Sequence, residues 1–282
     1  MNILKLNDVS KTYGDVKAVT SVTFDVDQGE FLYITGPSGS GKSTIIKLIL
    51  RQIQPDSGEI SFQGEDMLTI KEKEVPLIRQ KMGTVFQDFK MIPERTLKEN
   101  IEIALAVAKV KKDEWDSRVK HVAKLVGLED RLDFFPSQLA GGELQRGSLA
   151  RALIINPVLI LADEPTGNLD WDTAEGMMQL FEEINKEGKT IIMATHHLGI
   201  VENHKKRIIE LKEGKIVSDS GAKKREKKED KKDKEDGVED ERKEEKKEEK
   251  KGEKEDGKKE EKKVDVKVKV DEKKETEDDD KS

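Results

Sequence analysis

Apolar positions along the first 221 residues change their spacing from one segment to the next, which predicts strands alternating with helices. Alternating or compact apolar runs predict strands at 2–9, 19–26, 31–35, 59–64, 82–87, 158–164, 189–195, 207–211 and 215–217. Apolar residues at helical spacing predict helices at 43–53, 67–82, 96–109, 113–126, 148–155 and 173–187. This order predicts an α/β fold with a mainly parallel sheet, an antiparallel β edge region near the N-terminus and a helical insert at about 90–140.

From Ala222 onward the pattern gives way to a run of charged residues. This tail holds 24 basic and 26 acidic residues, so its net charge is close to zero. Its one alternating segment, VDVKVKV at 264–270, is too short to bury much apolar surface by itself. We therefore predict one folded domain at 1–221 and a disordered Lys/Glu-rich tail at 222–282.

Composition narrows the range of functions. The chain contains no cysteine, which excludes disulfides and thiolate metal sites. The net charge of -7 disfavours nucleic acid as the main ligand. No apolar run approaches the ~20 residues needed to span a bilayer, so any membrane role is expected to work through a partner protein.

A glycine-rich segment between a predicted strand and a predicted helix has the pattern G-x-x-x-x-G-K-[ST], typical of phosphate-binding loops. Its backbone N–H groups and the following helix N-terminus are expected to bind phosphate oxygens. Lys42 would reach the β- and γ-phosphates, and Ser43 would bind Mg²⁺. The predicted nucleotide-binding residues here are Gly36, Pro37, Ser38, Gly39, Ser40, Gly41, Lys42, Ser43 and Thr44.

Two acidic residues follow a buried strand in the segment LILADEP at 159–165. Ligands of parallel sheets bind at the carboxyl ends of the strands, so both acids are expected near the phosphates. Asp163 is predicted to hold Mg²⁺, and Glu164 to act as the general base that orients the attacking water.

Between these motifs lies LAGGELQR at 139–146. Its glycine pair, Gly141 and Gly142, predicts a second nucleotide-contacting surface that a subunit cannot use on its own nucleotide. We therefore expect an ATPase that works as a dimer.

Together these residues resemble the ATP-binding-cassette (ABC) ATPases, and the resemblance covers nearly all of residues 1–221. LAGGELQR is similar to the family signature LSGGQ, with Ala140 where the family usually has serine. The resemblance implies an ABC-type nucleotide-binding domain with two ATP molecules buried between head-to-tail subunits. It also implies that Gln87 lies in the Q-loop, where it binds Mg²⁺ and assists catalysis, and that Asp170 lies in the D-loop. His196 would be the switch histidine, and Tyr13 would stack on adenine.

The segment at 85–101 resembles the branch of the family that works in cell division. That branch pairs with a polytopic membrane protein, which implies a peripheral location on the cytoplasmic face of the inner membrane. Residues 88–95 would then line the groove that receives the partner's cytoplasmic helix. The alternative is the ATPase of a lipoprotein-release or macrolide-type exporter, which co-purification of an exporter permease would favour.

Two further hypotheses have less support. A switch that binds ATP but barely hydrolyses it would be consistent with Ala140, although Glu164 and His196 are intact. A DNA-repair ABC ATPase would carry long coiled coils between the phosphate loop and the signature, and this chain lacks sustained heptads there.

Several aromatic and histidine residues stand outside these motifs. His197, beside His196, is interpreted as a bystander, and Trp171 as a packing residue. His121 and His204 lie in charged contexts and are expected to be solvated.

Deleting residues 222–282 is expected to leave ATPase activity nearly unchanged, because every motif lies upstream of the tail. Steady-state phosphate release by the truncated and full-length chains checks this. A large loss of activity in the truncated chain would mean that the tail contacts the folded domain.

Overall fold

The computed structural model describes residues 2–221, and the predicted disordered tail lies outside the described residues. Ten strands are present: β1 Asn2–Tyr13, β2 Val16–Asp27, β3 Phe31–Thr35, β4 Ser57–Phe62, β5 Glu65–Asp66, β6 Met82–Phe86, β7 Leu159–Asp163, β8 Thr190–Thr195, β9 Arg207–Lys212 and β10 Lys215–Asp219. Seven α-helices connect them: α1 Lys42–Ile49, α2 Val75–Arg79, α3 Leu97–Val107, α4 Trp115–Val126, α5 Gly141–Leu153, α6 Trp171–Lys186 and α7 Leu198–Asn203.

The central sheet has the strand order β10-β9-β3-β8-β7-β6. Five of its strands run parallel, and β10 pairs antiparallel with β9 in the predicted hairpin. A second, antiparallel sheet has the order β2-β1-β4-β5 and forms the predicted β edge region. The predicted α/β class with a mainly parallel sheet is therefore confirmed.

Both faces of the parallel sheet are buried, which explains why its strands read as continuous apolar runs. On β8, Ile191 and Met193 pack into a core shared with α3, α4, α5 and α6. Ile192 and Ala194 point the other way, into a core shared with α1 and the antiparallel sheet. The carboxyl ends of β3, β7 and β8 thereby meet at one edge of a rigid sheet.

The helix predicted at 67–82 was wrong over most of its length. Only Val75–Arg79 is helical, with Pro76 in its first turn. Proline lacks an N–H and its ring crowds the preceding turn, so it fits the first turn of a helix but not the interior. The helix predicted at 43–53 also ends early, at Ile49, and Arg51 adopts a left-handed backbone with φ 49°.

The expectation that His204 is solvated was wrong. Its side chain is only 7% exposed, with Nε2 2.9 Å from Glu175 Oε1 and Nδ1 3.4 Å from Glu182 Oε1. The acidic partners lie on α6, about 20 to 30 residues away in sequence, so the local charge pattern gave no sign of them. His121, in contrast, is exposed as expected.

No helix among residues 2–221 combines the length and apolar character needed to cross a bilayer.

Candidate nucleotide site

The phosphate loop connects the end of β3 to the start of α1, as the motif predicts. Gly36 has φ 143°, and a Cβ built there would lie 2.2 Å from the carbonyl oxygen of Leu211 on β9. A side chain at this position would displace either the loop or the neighbouring strand. Glycine is therefore required where the chain leaves β3 and begins to curl.

Lys42 is nearly buried, with 6% of its side chain exposed. Its Nζ donates hydrogen bonds to the carbonyl oxygens of Gly36 at 2.9 Å and Pro37 at 3.2 Å. The same ammonium lies 3.5 Å from Glu164 Oε1. These contacts hold the positive charge inside the loop, where negatively charged phosphates would gain the most from it.

Ser43 and Asp163 come from opposite sides of the loop and meet. Ser43 Oγ donates to Asp163 Oδ1 at 3.0 Å. Burial raises the pKa of Asp163, and Glu164 adds to this, while the Ser43 hydrogen bond opposes it. A nearby cation would lower this pKa again, so the carboxylate gains from metal binding.

These oxygens fit Mg²⁺, which prefers hard oxygen ligands and usually takes one or two carboxylates with water and phosphate. Ser43, Gln87 and Asp163 line one cavity of about 580 Å³, together with Glu164 and Asn168. The three residues predicted to bind the metal thus line the same cavity.

Glu164 and His196 form the next contact at this edge of the sheet. His196 Nδ1 lies 2.8 Å from Glu164 Oε1, and the His196 backbone N–H donates to Glu164 Oε2 at 3.2 Å. The short contact indicates that Nδ1 carries a proton and donates it to the carboxylate. Glu164 has φ 51°, an uncommon conformation for a residue with a side chain. Such strain at a strand end is frequent at functional sites.

Gln87 follows β6 and pairs with Asn168 through both amide groups. Gln87 Nε2 donates to Asn168 Oδ1 at 3.2 Å, and Asn168 Nδ2 donates to the Gln87 carbonyl oxygen at 3.1 Å. This pair joins the predicted Q-loop to the predicted D-loop. The sequence analysis assigned no role to Asn168, although its place in GNLD at 167–170, the segment that resembles the D-loop, was the available signal.

A cavity of about 510 Å³ lies over the phosphate loop. Its lining includes Gln87, Glu164 and His196 together with the loop residues Ser38, Gly39, Gly41, Lys42, Ser43 and Thr44. Tyr13 is not part of this lining and is 45% exposed, whereas Val16, its partner across the β1–β2 turn, does line the cavity. The adenine contact of Tyr13 stays a prediction.

The signature lies on the surface at the start of α5 and does not line that cavity. Ala140 is the N-cap of α5, and its backbone N–H donates to Glu143 Oε2 at 2.9 Å. Arg131 Nε donates to Glu143 Oε1 at 2.8 Å. These two hydrogen bonds, the Ala140 bond first, lower the pKa of Glu143. The helix N-terminus with Gly141 and Gly142 is therefore fixed and open to a ligand from outside.

Asp170, at the end of the predicted D-loop, is the exposed N-cap of α6. Its Oδ1 accepts from the Thr173 N–H at 3.0 Å, and its Oδ2 accepts from Thr173 Oγ1 at 2.6 Å. Both bonds, the hydroxyl bond first, lower the pKa of Asp170.

Two residues that the sequence analysis missed hold the segment after Gln87. Arg151 on α5 donates from Nη2 and Nη1 to the carbonyl oxygens of Phe89 and Lys90, both at 2.7 Å. The buried Asn100 on α3 bonds to Ile92 N–H and to carbonyl oxygens between Ile92 and Thr96. The Arg151 bonds join segments far apart in sequence, so no local pattern predicts them, whereas the Asn100 bonds all lie within eight residues along the chain.

A phosphate loop, an acidic strand end and the predicted switch histidine around one cavity are typical of a P-loop nucleoside triphosphatase, and a separate signature helix is typical of an ATP-binding cassette. A sequence profile described as ABC transporter matches residues 19–167. The chain belongs to this family and is an ATPase.

Curated relatives are cell division proteins. The chain is similar to the cell division ATP-binding protein FtsE of Bacillus subtilis (strain 168), with 46% identity over 218 residues, 77% of this chain and 96% of the relative. Similarity to FtsE of Escherichia coli (strain K12) reaches 42% over 213 residues, 75% of this chain and 96% of the relative. Similarity to FtsE of Mycobacterium tuberculosis is 39% over 219 residues, 77% of this chain and 95% of the relative.

The chain is also similar to solved structures of ATP-binding cassettes. One is a dimeric ATP-binding cassette in a post-hydrolysis state bound to ADP and Pi, with a TM-score of 0.71 and 37% identity, covering 77% of this chain and 97% of that one. A second is a dimeric bacterial ABC transporter cassette with a TM-score of 0.71 and 38% identity over the same shares of each chain.

Ala140→Ser is expected to stabilise the folded chain by about 1 kcal/mol, because a serine hydroxyl at the N-cap accepts a backbone N–H that alanine leaves without a side-chain partner. Thermal unfolding should show a rise of about 2–4 °C for a domain of this size. Ala106→Ser, at an exposed site inside α3, is the matched control and should lower stability by a few tenths of a kcal/mol. An equal change in both variants would refute the capping argument.

Proposed function

We propose that this chain is the ATP-hydrolysing subunit of a membrane-associated cell-division complex. In it, ATP-driven closure of a homodimer acts on a polytopic membrane protein of the FtsX type. The single observation that carries the proposal is the similarity to FtsE proteins over 96% of their length. The chain would sit peripherally on the cytoplasmic face of the inner membrane, because the partner supplies the membrane-spanning part.

The site residues divide the chemistry among themselves. The phosphate loop and Lys42 bind and orient the β- and γ-phosphates of ATP. Ser43, Asp163 and Gln87 hold Mg²⁺, which when bound neutralises charge on the phosphate oxygens. Glu164 accepts the proton of the water that attacks the γ-phosphorus.

His196 completes this arrangement. Its Nδ1–H bond to Glu164 keeps the carboxylate oriented, and its side chain is 59% exposed and lines the cavity over the phosphate loop. The histidine therefore links the position of the base to the presence of the phosphate that is to be cleaved.

The dimer is supported by the place of the signature. Ala140, Gly141 and Gly142 lie outside the subunit's own phosphate cavity, yet they present an open helix N-terminus, which attracts anions. The γ-phosphate bound by one subunit is the natural ligand for the signature of the other. Closure then depends on that phosphate, and hydrolysis reopens the dimer.

Contact with the membrane partner is assigned to residues 88–95. Arg151 and Asn100 fasten this segment to α5 and α3, and burial lowers the pKa of Arg151. Because α5 begins with the signature, any displacement of the segment is transmitted to the residues that contact the partner subunit's ATP. Ile92, 39% exposed, provides an apolar contact within the segment.

Glu164→Gln is expected to trap an ATP-bound dimer, because the amide cannot accept the proton of the attacking water. Size-exclusion chromatography with ATP and Mg²⁺ should show the dimer, and phosphate release should fall by at least about 100-fold. Lys42→Ala is the control, since it should lose ATP binding and stay monomeric. A purely monomeric Glu164→Gln chain that still binds ATP would contradict the shared site.

The partner assignment is tested by co-purification of the tagged full-length chain from detergent-solubilised membranes of its own organism. A membrane protein with four spanning helices and a large extracellular loop is the expected partner, and an exporter permease in its place would overturn the assignment. Ile92→Glu should abolish retention of the partner while leaving ATP binding intact. Val217→Glu, at another exposed apolar position outside the segment, should retain it.

A further inference from the structure

Trp171 and His197 contact each other, and neither residue has a role in the ATP hydrolysis described above. Trp171 is the first residue of α6, directly after Asp170, and 47% of its side chain is exposed. Its ring centroid lies 5.6 Å from that of His197, with the ring planes tilted by 47°. This distance lies within the range at which aromatic rings attract each other.

The outer edge of the indole rests on Gly199, in the first turn of α7. A Cβ built on Gly199 would lie 3.2 Å from both Cη2 and Cζ3 of Trp171, closer than ordinary van der Waals contact. The indole therefore contacts both His197 and Gly199, on either side of the exposed Leu198. An exposed tryptophan that packs against a bare backbone and a histidine fixes the position of that turn.

His197 is a half-buried residue between the end of β8 and the start of α7. Its Nδ1 is buried and finds no hydrogen-bond partner among the described residues, and its backbone N–H donates to Thr195 Oγ1 at 3.0 Å. The indole of Trp171 is therefore a contact that can hold the His197 ring in place. His196 is its direct neighbour and bonds to Glu164 through both its backbone and its ring.

We propose that Trp171 is a positioning residue for His196, acting through His197. Asn168, three residues before Trp171, is paired with Gln87, so the contacts run from Gln87 through the D-loop and the indole to His196 and Glu164. The arrangement of the D-loop then sets the angle at which the histidine and the general base meet the γ-phosphate. His197, interpreted from the sequence as a bystander, transmits this positioning.

The proposal predicts a specific kinetic pattern in the full-length chain. Trp171→Ala should lower kcat by about tenfold while KM for ATP changes by less than about twofold, because the phosphate loop is untouched. Trp171→Phe keeps an aromatic ring against His197 and should restore most of the lost kcat. Trp115→Phe, at the other tryptophan, is the matched control and should leave kcat unchanged.

A double-mutant cycle tests the path through His197. His197→Ala should lower kcat by about as much as Trp171→Ala, and the double variant should be no slower than the slower single variant by more than about twofold. Additive losses, normal kcat in Trp171→Ala, or equal losses in Trp171→Phe and Trp171→Ala would each overturn the proposal. If Trp171→Ala fails to fold, His197→Ala and Trp171→Phe still decide the question.

A spectroscopic measurement adds an independent readout. In Trp115→Phe the only remaining tryptophan is Trp171, so its emission reports on the contact with His197 directly. The emission should shift when ATP and Mg²⁺ are added to the Trp115→Phe/Glu164→Gln chain, and an unchanged spectrum would count against the proposal.

The proposal rests on the assigned roles of Glu164 and His196. Full turnover in Glu164→Gln would refute those roles, whereas normal kcat in Trp171→Ala alone would refute only the positioning.

Discussion

The site depends on the carboxyl ends of β3 and β7 lying at the same edge of the parallel sheet. β3 leads into the phosphate loop, and β7 ends in Asp163 and Glu164. The two strands flank β8 and run in the same direction, so the residues that follow them lie close together. The Ser43 hydroxyl therefore contacts Asp163, and the Lys42 ammonium contacts Glu164. The buried faces of the sheet keep this register fixed, since shifting one strand would expose its apolar residues. An ammonium, a hydroxyl and two carboxylates are thereby gathered in one place.

The segments that surround these four side chains are held together by contacts between loops and helix ends rather than by strand pairing. The Gln87–Asn168 pair and the Trp171–His197 pair each join segments distant in sequence, and each involves a segment next to the acidic strand end. Exposed loops of this kind can adopt more than one arrangement at small energetic cost, unlike the strands beneath them. The division suits an enzyme that must keep its phosphate-binding geometry constant while the surrounding surfaces open and close.

The sequence predicted the fold class and the phosphate loop because these depend on local patterns, namely apolar periodicity and the spacing of glycine, lysine and serine. Asp163 and Glu164 were predictable because a strand end is recognisable locally. The helix at 67–82 was overpredicted since the influence of Pro76 outweighed the periodicity. Arg151 and the burial of His204 escaped prediction because each depends on a partner brought close only by folding. The partners of Asn100 lie within eight residues of it, but no sequence pattern distinguishes this asparagine from an exposed helix residue. The roles assigned to the site residues remain predictions.

The left-handed backbone of Glu164 has a consequence for how this protein can change. A residue with a side chain pays conformational energy of order 1–3 kcal/mol at such a position, whereas glycine, and to a lesser degree asparagine, adopts it readily. Substitutions that relax the strain would therefore make the chain more stable while removing the carboxylate. Selection for stability and selection for the proposed catalytic role of Glu164 would act in opposite directions on this one residue, so a search for heat-resistant variants would be drawn toward chains that lack the carboxylate.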